Sequence, residues 1–538
     1  MSQKSRSLLF LIIITLCCWL TGCVQKGKKA QKKKLYNNAS IAGHFSSQLS
    51  STFDSTAIDS FLKKFPLFDP YEAEIVKFYD RRKYAYAWFE HDTLIEHAGN
   101  LANRIAGMEE DGIHGKPPYL REMDSLLHTP LSKNTQEMTE LMLTAQYFVF
   151  ARMAWEGMTD EESRANSWFL PRKRLSYNGY LDSILKLPLK NALSTEPVYR
   201  QYELLKSFLT KYRTLEKTES WLPVKLNRFP RLGDSSEAIQ LIRQRLILLG
   251  DLPAKTESAI FDEPLAEGFR NFQIRHGLKP SGTMDALTLN ALNIPLKERI
   301  TQILINMERS RWLPVTQEGE YLAVNIPEFK LHVYDTDSLL WSCNVVVGKT
   351  MNRTTVFYGE LESIVFSPYW NVPPSIVKKE ILPGMRSRSN FLESHQMEIV
   401  GSSDGLPIIR QRPGKNNSLG QVKFLFPNSH NIYLHDTPSR SLFLEPARAF
   451  SHGCIRVAEP RKLAEFLLKD SPQWPSDKII SAMQAGKEIY VPLKKKTPVY
   501  IAYFTAFVDR KHQLNFRQDI YHLDDRLAAM LLSGKGNY

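Results

Sequence analysis

The hydrophobic pattern of this chain changes its period once, and that change divides the fold. Over residues 71–312 apolar side chains recur three and four positions apart, as at Ile239, Ile242 and Leu246. From residue 322 they alternate instead. Spacings of three and four mark one face of an α-helix, and alternation marks one face of a β-strand. A chain of 538 residues is also too long for one hydrophobic core. We therefore predict a multidomain α+β protein with a mainly-β domain after the helices.

Breaks in this pattern set the predicted domain boundaries. We place a helical scaffold domain at 61–222 and a small three-helix domain at 231–294, joined by a linker rich in proline. A mainly-β domain follows at 318–493. Inside it, the irregular stretch at about 375–421 is rich in Pro and Gly and too long for an ordinary connection, so we predict an inserted cap over the site. Residues 494–538 are predicted as a C-terminal strand extension.

One buried helix is expected at the centre of the scaffold domain. Residues 141–154 are apolar nearly all round, which is typical of a helix packed on every side. Asn134 and Glu137 form a plausible capping pair at its start, and Gly157 a plausible stop. The aromatic residues between positions 79 and 89 are expected to pack in the core rather than to bind a ligand.

The N-terminus predicts export. An apolar run over residues 8–20 follows basic residues and is short for a permanent membrane helix. It ends in Leu-Thr-Gly-Cys, which resembles the lipobox of bacterial lipoproteins and predicts a signal peptide at 1–22, lipidation of Cys23 and a tether at 23–60. The alternative is an ordinary signal peptide or a short anchor. Val24 after the modified Cys favours the outer membrane over the inner membrane, with the protein facing the periplasm.

The formal charge of +13 is one property expected of a nucleic-acid-binding protein. Much of it, however, lies in one short lysine-rich segment of the tether, where residues 26–34 are suited to anionic lipid headgroups. The remaining basic residues are dispersed, without a long basic helix or a zinc-finger spacing. We therefore expect no nucleic-acid partner.

The cysteine count favours catalysis. Of the 5 cysteines, Cys17 and Cys18 would leave with the signal peptide, so that Cys23, Cys343 and Cys454 remain. With Cys23 lipidated, no even set of thiols remains for a disulfide framework. We expect Cys343, which lies in a strand pattern without a nearby His, to be inert. A free thiol in an oxidising compartment points to a reactive role for Cys454.

Cys454 lies in the most informative stretch of the chain. Residues 451–457 read Ser-His-Gly-Cys-Ile-Arg-Val, and His435 ends a strand pattern 19 residues before the Cys. A cysteine nucleophile needs a base that takes its proton and N–H donors that hold the developing oxyanion. His435 is the better base, since His452 lies only two residues before the nucleophile. A zinc site made of both His residues and the Cys is excluded because it lacks a fourth ligand, and we expect no cofactor.

The second half of the chain resembles the L,D-transpeptidases of bacterial cell walls. The resemblance rests on the Cys motif, on His435 and on four further stretches, namely residues 306–309 (Asn-Met-Glu-Arg), 324–327 (Val-Asn-Ile-Pro), 367–373 (Ser-Pro-Tyr-Trp-Asn-Val-Pro) and 425–428 (Leu-Phe-Pro-Asn). It points to the long periplasmic subgroup of that family, with a helical scaffold, a wall-binding-like module and a catalytic domain.

The three-helix domain resembles the peptidoglycan-binding type 1 module. The matching residues are Phe272-Gln273, Gly277-Leu278, Gly282 and Leu289-Asn290. Ser281 and Met284 stand where that module more often has Asp and Gly. Glycan binding and a purely architectural role both remain open for this domain.

The resemblance implies acyl transfer with Cys454 as nucleophile and His435 as general base and acid. It further implies that the backbone carbonyl of Asp436 orients His435, and that the N–H groups of Gly453 and Cys454 form the oxyanion hole. The Asp436 side chain is expected only to form a turn. Candidate substrate-binding residues are Arg456, His452, Arg410, Arg412, Tyr433 and Trp370.

The implied reaction joins a peptidoglycan tetrapeptide stem to the amine of a second stem, with release of D-Ala and formation of a 3→3 cross-link. Stem peptides are thus the expected partners, together with the membrane through the lipid anchor, and wall synthases or hydrolases are candidate partners of the scaffold. An L,D-carboxypeptidase on the same site and a non-catalytic wall-anchoring lipoprotein are the alternatives. The resemblance also implies that carbapenems acylate Cys454.

Overall fold

A computed structural model describes residues 51–186, 196–254 and 258–532. The predicted signal peptide, the lipidation site Cys23 and most of the predicted tether lie outside the described residues. Within the described part of the chain, every helix is too short or too polar to cross a membrane.

Helices form most of the first domain. They are α1 (Thr56–Lys64), α2 (Glu72–Arg81), α3 (Glu96–Gly107), α4 (Leu120–His128), α5 (Lys133–Ala151), α6 (Asp160–Ala165), α7 (Tyr177–Lys186) and α8 (Gln201–Thr218). Residues 138–151 of α5 are all buried, so α5 is the central helix that the apolar run predicted. Tyr79, Trp88 and Phe89 are buried in the same core, as expected of core aromatics.

The predicted start of α5 is wrong by two residues. Ser132 caps the helix: its hydroxyl accepts a hydrogen bond from the Thr135 N–H at 3.3 Å, and its own N–H donates to Thr135 Oγ1 at 2.6 Å. A threonine therefore closes the capping box where Glu137 was expected. At the other end, a π-helical turn, Arg152–Glu156, leads to Gly157, whose φ of 68° ends the helix as predicted.

The scaffold is mainly helical, as predicted, and it also contains three short strands. β1 (Phe89–Glu90) and β2 (Thr93–Leu94) form a small hairpin, and β3 (Trp168–Phe169) leaves the domain to pair with a strand of the catalytic domain. A strand of two residues shows no period in sequence, so its partner in another domain could not be inferred.

The second domain contains the three predicted helices, α9 (Glu237–Leu249), α10 (Glu263–Arg275) and α11 (Ala286–Asn293). Side chains of Ser236, Asp262 and Asp285 cap their N-termini, and Gly250 ends α9 in the left-handed conformation. The next helix, α12 (Leu296–Trp312), lies between the second and third domains and packs against the scaffold core and the core of the closed sheet.

The third domain is a β-sheet that closes on itself. Its strands are β4 (Glu320–Asn325), β5 (Lys330–Asp335), β6 (Ser338–Gly348), β7 (Val356–Phe366), β11 (Val422–Leu425), β12 (Leu434–His435), β14 (Ile455–Val457) and β15 (Ile489–Ala502). Hydrogen bonds run in the order β11-β12-β14-β6-β5-β4-β15-β7, and β7 pairs again with β11. A further strand, β13 (Ala449–Ser451), pairs with β6. The enclosed side chains form one core, which also packs against α16 (Pro460–Leu467) and α17 (Ser476–Met483).

The predicted cap is present as a folded insertion. It contains β8 (Trp370–Asn371), α13 (Pro374–Ile376), α14 (Leu382–Ser387), α15 (Phe391–Ser394), β9 (Met397–Ser403) and β10 (Leu406–Gln411), with a π-helical turn, Val377–Ile381, between α13 and α14. β8, β10 and β9 form a separate three-stranded sheet with a small apolar core of its own.

The C-terminal segment differs from the predicted strand extension. β15 crosses the predicted boundary at 493/494 without a break, and after it come a hairpin of β16 (Ala506–Val508) and β17 (Leu514–Phe516) and a helix, α18 (Asp524–Leu532). The hairpin packs into the core of the scaffold domain, more than 300 residues earlier in the chain. The end of the chain therefore joins the first domain to the others.

Candidate active site

Two short strands bring the predicted catalytic residues together. β12 pairs with β14 in parallel, with Leu434 opposite Ile455 and His435 opposite Arg456. Cys454 is the residue just before β14, so the nucleophile loop and the base lie on two neighbouring strands of the closed sheet. The spacing of 19 residues is accommodated by a 3₁₀ turn, Arg440–Leu444, and by β13.

His435 is held as a neutral base. Only 4% of the residue is exposed, and its Nδ1 lies 2.5 Å from the backbone oxygen of Asp436. A carbonyl oxygen can only accept, so Nδ1 carries the hydrogen and the Nε2 lone pair is left available. Burial, reinforced by the positive charge of Arg456, lowers the pKa of His435 to about 3.

The Cys454 thiol is half-buried and protonated at rest. Burial raises its pKa above the usual value of 9.0, while hydrogen bonds with the backbone and hydroxyl of Tyr433 and the charge of Arg456 act in the opposite direction. The thiol donates to the backbone oxygen of Asn431 at 3.6 Å. Because this resting thiol is not a thiolate, it needs His435 to remove its proton during attack.

The loop around Gly453 is fixed by two hydroxyl groups. The N–H of Gly453 donates to Ser451 Oγ at 3.1 Å, and that hydroxyl donates to the Cys454 carbonyl at 2.5 Å. Gly453 has a φ of 119°, which a side chain would strain, and its carbonyl accepts from Thr354 Oγ1 at 2.8 Å. Of the two predicted oxyanion donors, the Gly453 N–H is thus engaged at rest. Among the described residues the Cys454 N–H has no hydrogen-bond partner.

The Asp436 side chain is structural, but it holds a distant segment rather than only the turn that was expected. It accepts from the N–H of Gln421 at 2.9 Å and pairs with Arg440 at 3.2 Å. Gly420 packs directly against the Asp436 carboxylate. A Cβ at position 420 would lie 2.4 Å from that carboxylate, so a larger residue would not fit. These contacts fix the backbone whose carbonyl holds His435.

Arg456 and Tyr433 face the reacting pair. Arg456 lies opposite His435 in the strand register, and its Nε is buried without a hydrogen-bond partner in the described part of the chain. The Tyr433 ring lies 5.7 Å from the His435 ring, and its hydroxyl contacts the Cys454 thiol. Both residues therefore act on the thiol itself. The sequence indicated them as candidate substrate-binding residues.

The other predicted substrate-binding residues lie on the cap or contact it. His452 pairs with Glu380 of the cap at 3.0 Å. Arg410 and Arg412 share Glu398, at 2.5 and 2.9 Å, so their charges are partly neutralised within the cap. Trp370 packs against the cap core.

Two supporting residues were missed by sequence reasoning. Thr354 holds the Gly453 carbonyl, and the Tyr521 hydroxyl accepts from the Thr354 N–H at 3.1 Å and donates to the Gly348 carbonyl at 2.5 Å. Neither lies in a recognisable motif, and Tyr521 follows the nucleophile by more than 60 residues. Cys343 is buried, and burial raises its pKa to about 11, in keeping with an inert thiol. Among the described residues, no three His, Cys, Asp or Glu side chains are grouped as a metal site requires.

Three family models match the chain. Residues 319–501 match the L,D-transpeptidase catalytic domain. Residues 73–209 match a scaffold domain, and residues 235–292 match a "Putative peptidoglycan binding domain". The closed sheet, the cap and the Cys–His pair all lie within the first of these matches. The chain therefore combines, in order, a stretch that matches a scaffold domain, one that matches a peptidoglycan-binding domain and one that matches the L,D-transpeptidase catalytic domain.

A relative from Haemophilus influenzae, named "Putative L,D-transpeptidase", is 33% identical over 248 residues, which cover 43% of this chain and 50% of the relative. The match thus spans about half the length of that relative. Solved L,D-transpeptidase structures from Xylanimonas cellulosilytica and Stackebrandtia nassauensis are 15% and 14% identical, with TM-scores of 0.18 and 0.22. They cover 52% and 51% of this chain, and 99% and 94% of their own chains.

Proposed function

We propose that this chain is a peptidoglycan L,D-transpeptidase that forms 3→3 cross-links through a thioacyl intermediate on Cys454. The observation that carries the proposal is the parallel pairing of β12 with β14. It sets a buried, neutral His435 of defined tautomer beside the loop of a single partly accessible thiol. That arrangement suits acyl transfer by a cysteine nucleophile.

In the first half-reaction, Nε2 of His435 takes the thiol proton as the sulfur of Cys454 attacks the carbonyl between the third stem residue and the terminal D-Ala. The tetrahedral intermediate places its oxyanion at the Cys454 N–H, which is free at rest. The C–N bond then breaks, and the proton on His435 passes to the leaving amine of D-Ala. A thioester remains.

In the second half-reaction, the side-chain amine of another stem attacks the thioester. His435 accepts a proton from that amine and returns it to the sulfur as the C–S bond breaks. One amide bond replaces another, so no nucleotide energy is needed. Water in place of the amine gives the carboxypeptidase reaction.

Arg456 supports this assignment electrostatically. Its charge stabilises the thiolate as it forms, and its unpartnered Nε can receive a carboxylate of the stem. The cap contacts the nucleophile loop through the pair of Glu380 and His452.

The same proposal includes the location of the protein. The Leu-Thr-Gly-Cys sequence before residue 24 supports lipidation at Cys23 after removal of a signal peptide. We propose a lipid-anchored protein that faces the periplasm, at the outer membrane rather than the inner one. Palmitate labelling of the full chain, compared with Cys23→Ala, tests this, and equal labelling of both would contradict it.

The reaction is tested with lipid-free protein and disaccharide-tetrapeptide, with products identified by mass spectrometry. A dimer that has lost one D-Ala, absent with Cys454→Ala, is expected. A tripeptide monomer as the only product would replace the transpeptidase with an L,D-carboxypeptidase. An unchanged substrate with a folded protein and a free thiol would overturn both.

A further inference from the structure

A large cavity lies away from the Cys–His pair. It measures about 950 Å³ and is bounded by the start of α8, by residues 277–280 of the second domain, by the β16–β17 hairpin and by residues 443–448. Its floor is the outer face of β4 and β5. Cys454, His435, Tyr433 and Arg456 do not line it. This volume is at the upper end of the range for ligand pockets, which is about 300–1,000 Å³.

The floor and one wall of the cavity carry tyrosines. Tyr321 and Tyr334 lie directly opposite each other in the strand register, with ring centroids 5.0 Å apart, and Tyr199 of the scaffold domain lines the same cavity. No hydrogen bond of their three hydroxyls occurs within the described ranges. Tyrosine offers an apolar face and a polar tip, which suits ligands that are themselves amphipathic, such as sugar rings.

The cavity also carries uncommitted positive charge. Arg200, Lys279, Lys330 and Lys511 line it, and none of them has an ion pair among the residues that the structure describes. Glu328 on the floor is already paired with His332 at 3.0 Å. Three further carboxylates line the cavity without an ion pair in the described part of the chain, namely Asp337, Glu445 and Asp509. Lysine and arginine side chains outnumber these acids around the cavity, so an acidic ligand is favoured over a basic one.

A buried arginine marks the end of the cavity towards the nucleophile. Arg448 is 9% exposed, and its Nε has no hydrogen-bond partner within the described residues. Its other nitrogens donate to backbone oxygens of Glu445 and Phe329. The residue after Arg448 begins β13, which leads directly into the loop of Cys454. A ligand at this end would lie one short strand away from the nucleophile.

We propose that this cavity is a second binding site for an acidic saccharide-peptide, namely a stretch of the peptidoglycan strand that carries the reacting stem. Sugar rings lie against Tyr321 and Tyr334, and stem carboxylates meet Arg200 and Lys330. One wall comes from the domain that matches the peptidoglycan-binding model, so that domain binds jointly with the catalytic sheet. The inference rests on the proposed function for the identity of the strand.

The test is co-sedimentation of the full lipid-free protein with purified peptidoglycan sacculi. The double variant Arg200→Glu/Lys330→Glu is compared with Lys494→Glu/Lys495→Glu, which makes the same charge change on exposed residues of β15 outside the cavity. We expect at least tenfold weaker binding for the first pair and less than twofold for the second. Equal binding by both variants would overturn the proposal.

The ligand class is tested by titrating disaccharide-tetrapeptide, neutral chitotetraose and polyglutamate against the protein. Binding of the disaccharide-tetrapeptide that is at least tenfold tighter than that of either other probe, and lost in Arg200→Glu/Lys330→Glu, is expected. Equal binding of polyglutamate would reduce the site to a general cationic surface and contradict the proposal.

Acylation of Cys454 by a carbapenem separates this inference from the proposed function. It does not use the cavity, so the double variant should react at the wild-type rate, which also shows that the variant is folded. If the carbapenem does not acylate the wild-type protein, but binding to sacculi still depends on Arg200 and Lys330, only the catalytic proposal is rejected. If the double variant is acylated at the wild-type rate and also binds sacculi as tightly as the wild type, only the proposed binding site in the cavity is rejected.

Discussion

At the residue scale, the site contains two histidines with different surroundings. His435 is buried and donates Nδ1–H to a carbonyl, whereas His452 is partly exposed and pairs with Glu380. Nε2 of His452 lies 3.0 Å from the Glu380 carboxylate, so this nitrogen is engaged by the cap rather than held by a backbone carbonyl. Only His435 is therefore set up to accept the thiol proton.

This difference gives the first prediction. His435→Gln should slow acylation of Cys454 by a carbapenem about 10²- to 10⁴-fold, because the general base is removed. His452→Gln should slow it less than about tenfold. Stopped-flow fluorescence of both variants provides the comparison, and a larger effect for His452 would reverse the assignment of the base.

The pKa of His435 gives the second prediction. Because burial lowers that pKa to about 3, the ring stays neutral as pH falls and is lost as a base only near pH 3. The pKa of Cys454 is raised, so its proton remains in place through neutral pH. The acylation rate should therefore show no inflection between pH 5 and pH 8. A rate that halves near pH 6.5 would mean an exposed histidine acts as the base.

Much of this site could be predicted from sequence, because its contacts are local. The carbonyl that holds His435 belongs to the next residue, as the resemblance to the L,D-transpeptidases implied, and Gly453 has a positive φ. The contacts of Arg410 and Arg412 with Glu398 could not be predicted, because they depend on how β9 and β10 pair within the cap. The expectation that these arginines are free for a stem carboxylate is therefore weakened.

At the scale of elements, α12 connects the scaffold to the closed sheet through a buried carboxylate. Glu308 is fully buried, and it accepts from the Met158 N–H at 2.6 Å and from Trp312 Nε1 at 2.9 Å. It also pairs with Arg311. Gly157 has no side chain here because a Cβ would lie 2.3 Å from Glu308.

The third prediction concerns this contact. Glu308→Ala should lower the free energy of unfolding by about 3–5 kcal/mol, because it removes the carboxylate that balances the buried charge of Arg311. Glu216→Ala, an exposed glutamate on α8, should change it by less than about 0.5 kcal/mol. Urea denaturation monitored by tryptophan fluorescence measures both. Equal midpoints for the two variants would show that Glu308 contributes nothing to stability.

The sequence identified most long elements, since α9, α10 and α12 carry clear helical periods, and side chains cap the first two of these helices. It missed β3 and the β16–β17 hairpin, whose strands have only two or three residues. Strands of that length are stabilised by partners far away in the chain rather than by their own pattern. Element boundaries inside the cap were missed for the same reason.

At the scale of the whole molecule, the C-terminal hairpin holds the three domains together. Phe516 is 1% exposed, and its ring lies 5.8 Å from that of Tyr212 in the scaffold and 5.6 Å from that of His276 in the second domain. Arg299 of α12 lies 4.4 Å from the same ring. The relative placement of the domains, and with it the cavity between them, depends on this contact.

The fourth prediction follows from that position. Phe516→Ala should destabilise the protein by about 3–5 kcal/mol and open the linker after α8 to proteolysis. Phe229→Ala, which removes a ring that is 44% exposed, is the matched control and should leave the cleavage rate unchanged. Limited trypsin digestion followed by mass spectrometry measures the cleavage. An intact linker in Phe516→Ala would show that the domains are held in place by other contacts.

The most direct test of the catalytic account is to trap the acyl-enzyme. Lipid-free protein is mixed with a disaccharide-tetrapeptide whose side-chain amine is acetylated, so that no acceptor is present, and the reaction is quenched in acid at short times. Peptide mapping by mass spectrometry should find the donor, less D-Ala, on Cys454, and no adduct in Cys454→Ala. Release of D-Ala without any adduct on Cys454, or an adduct on another residue, would contradict the account.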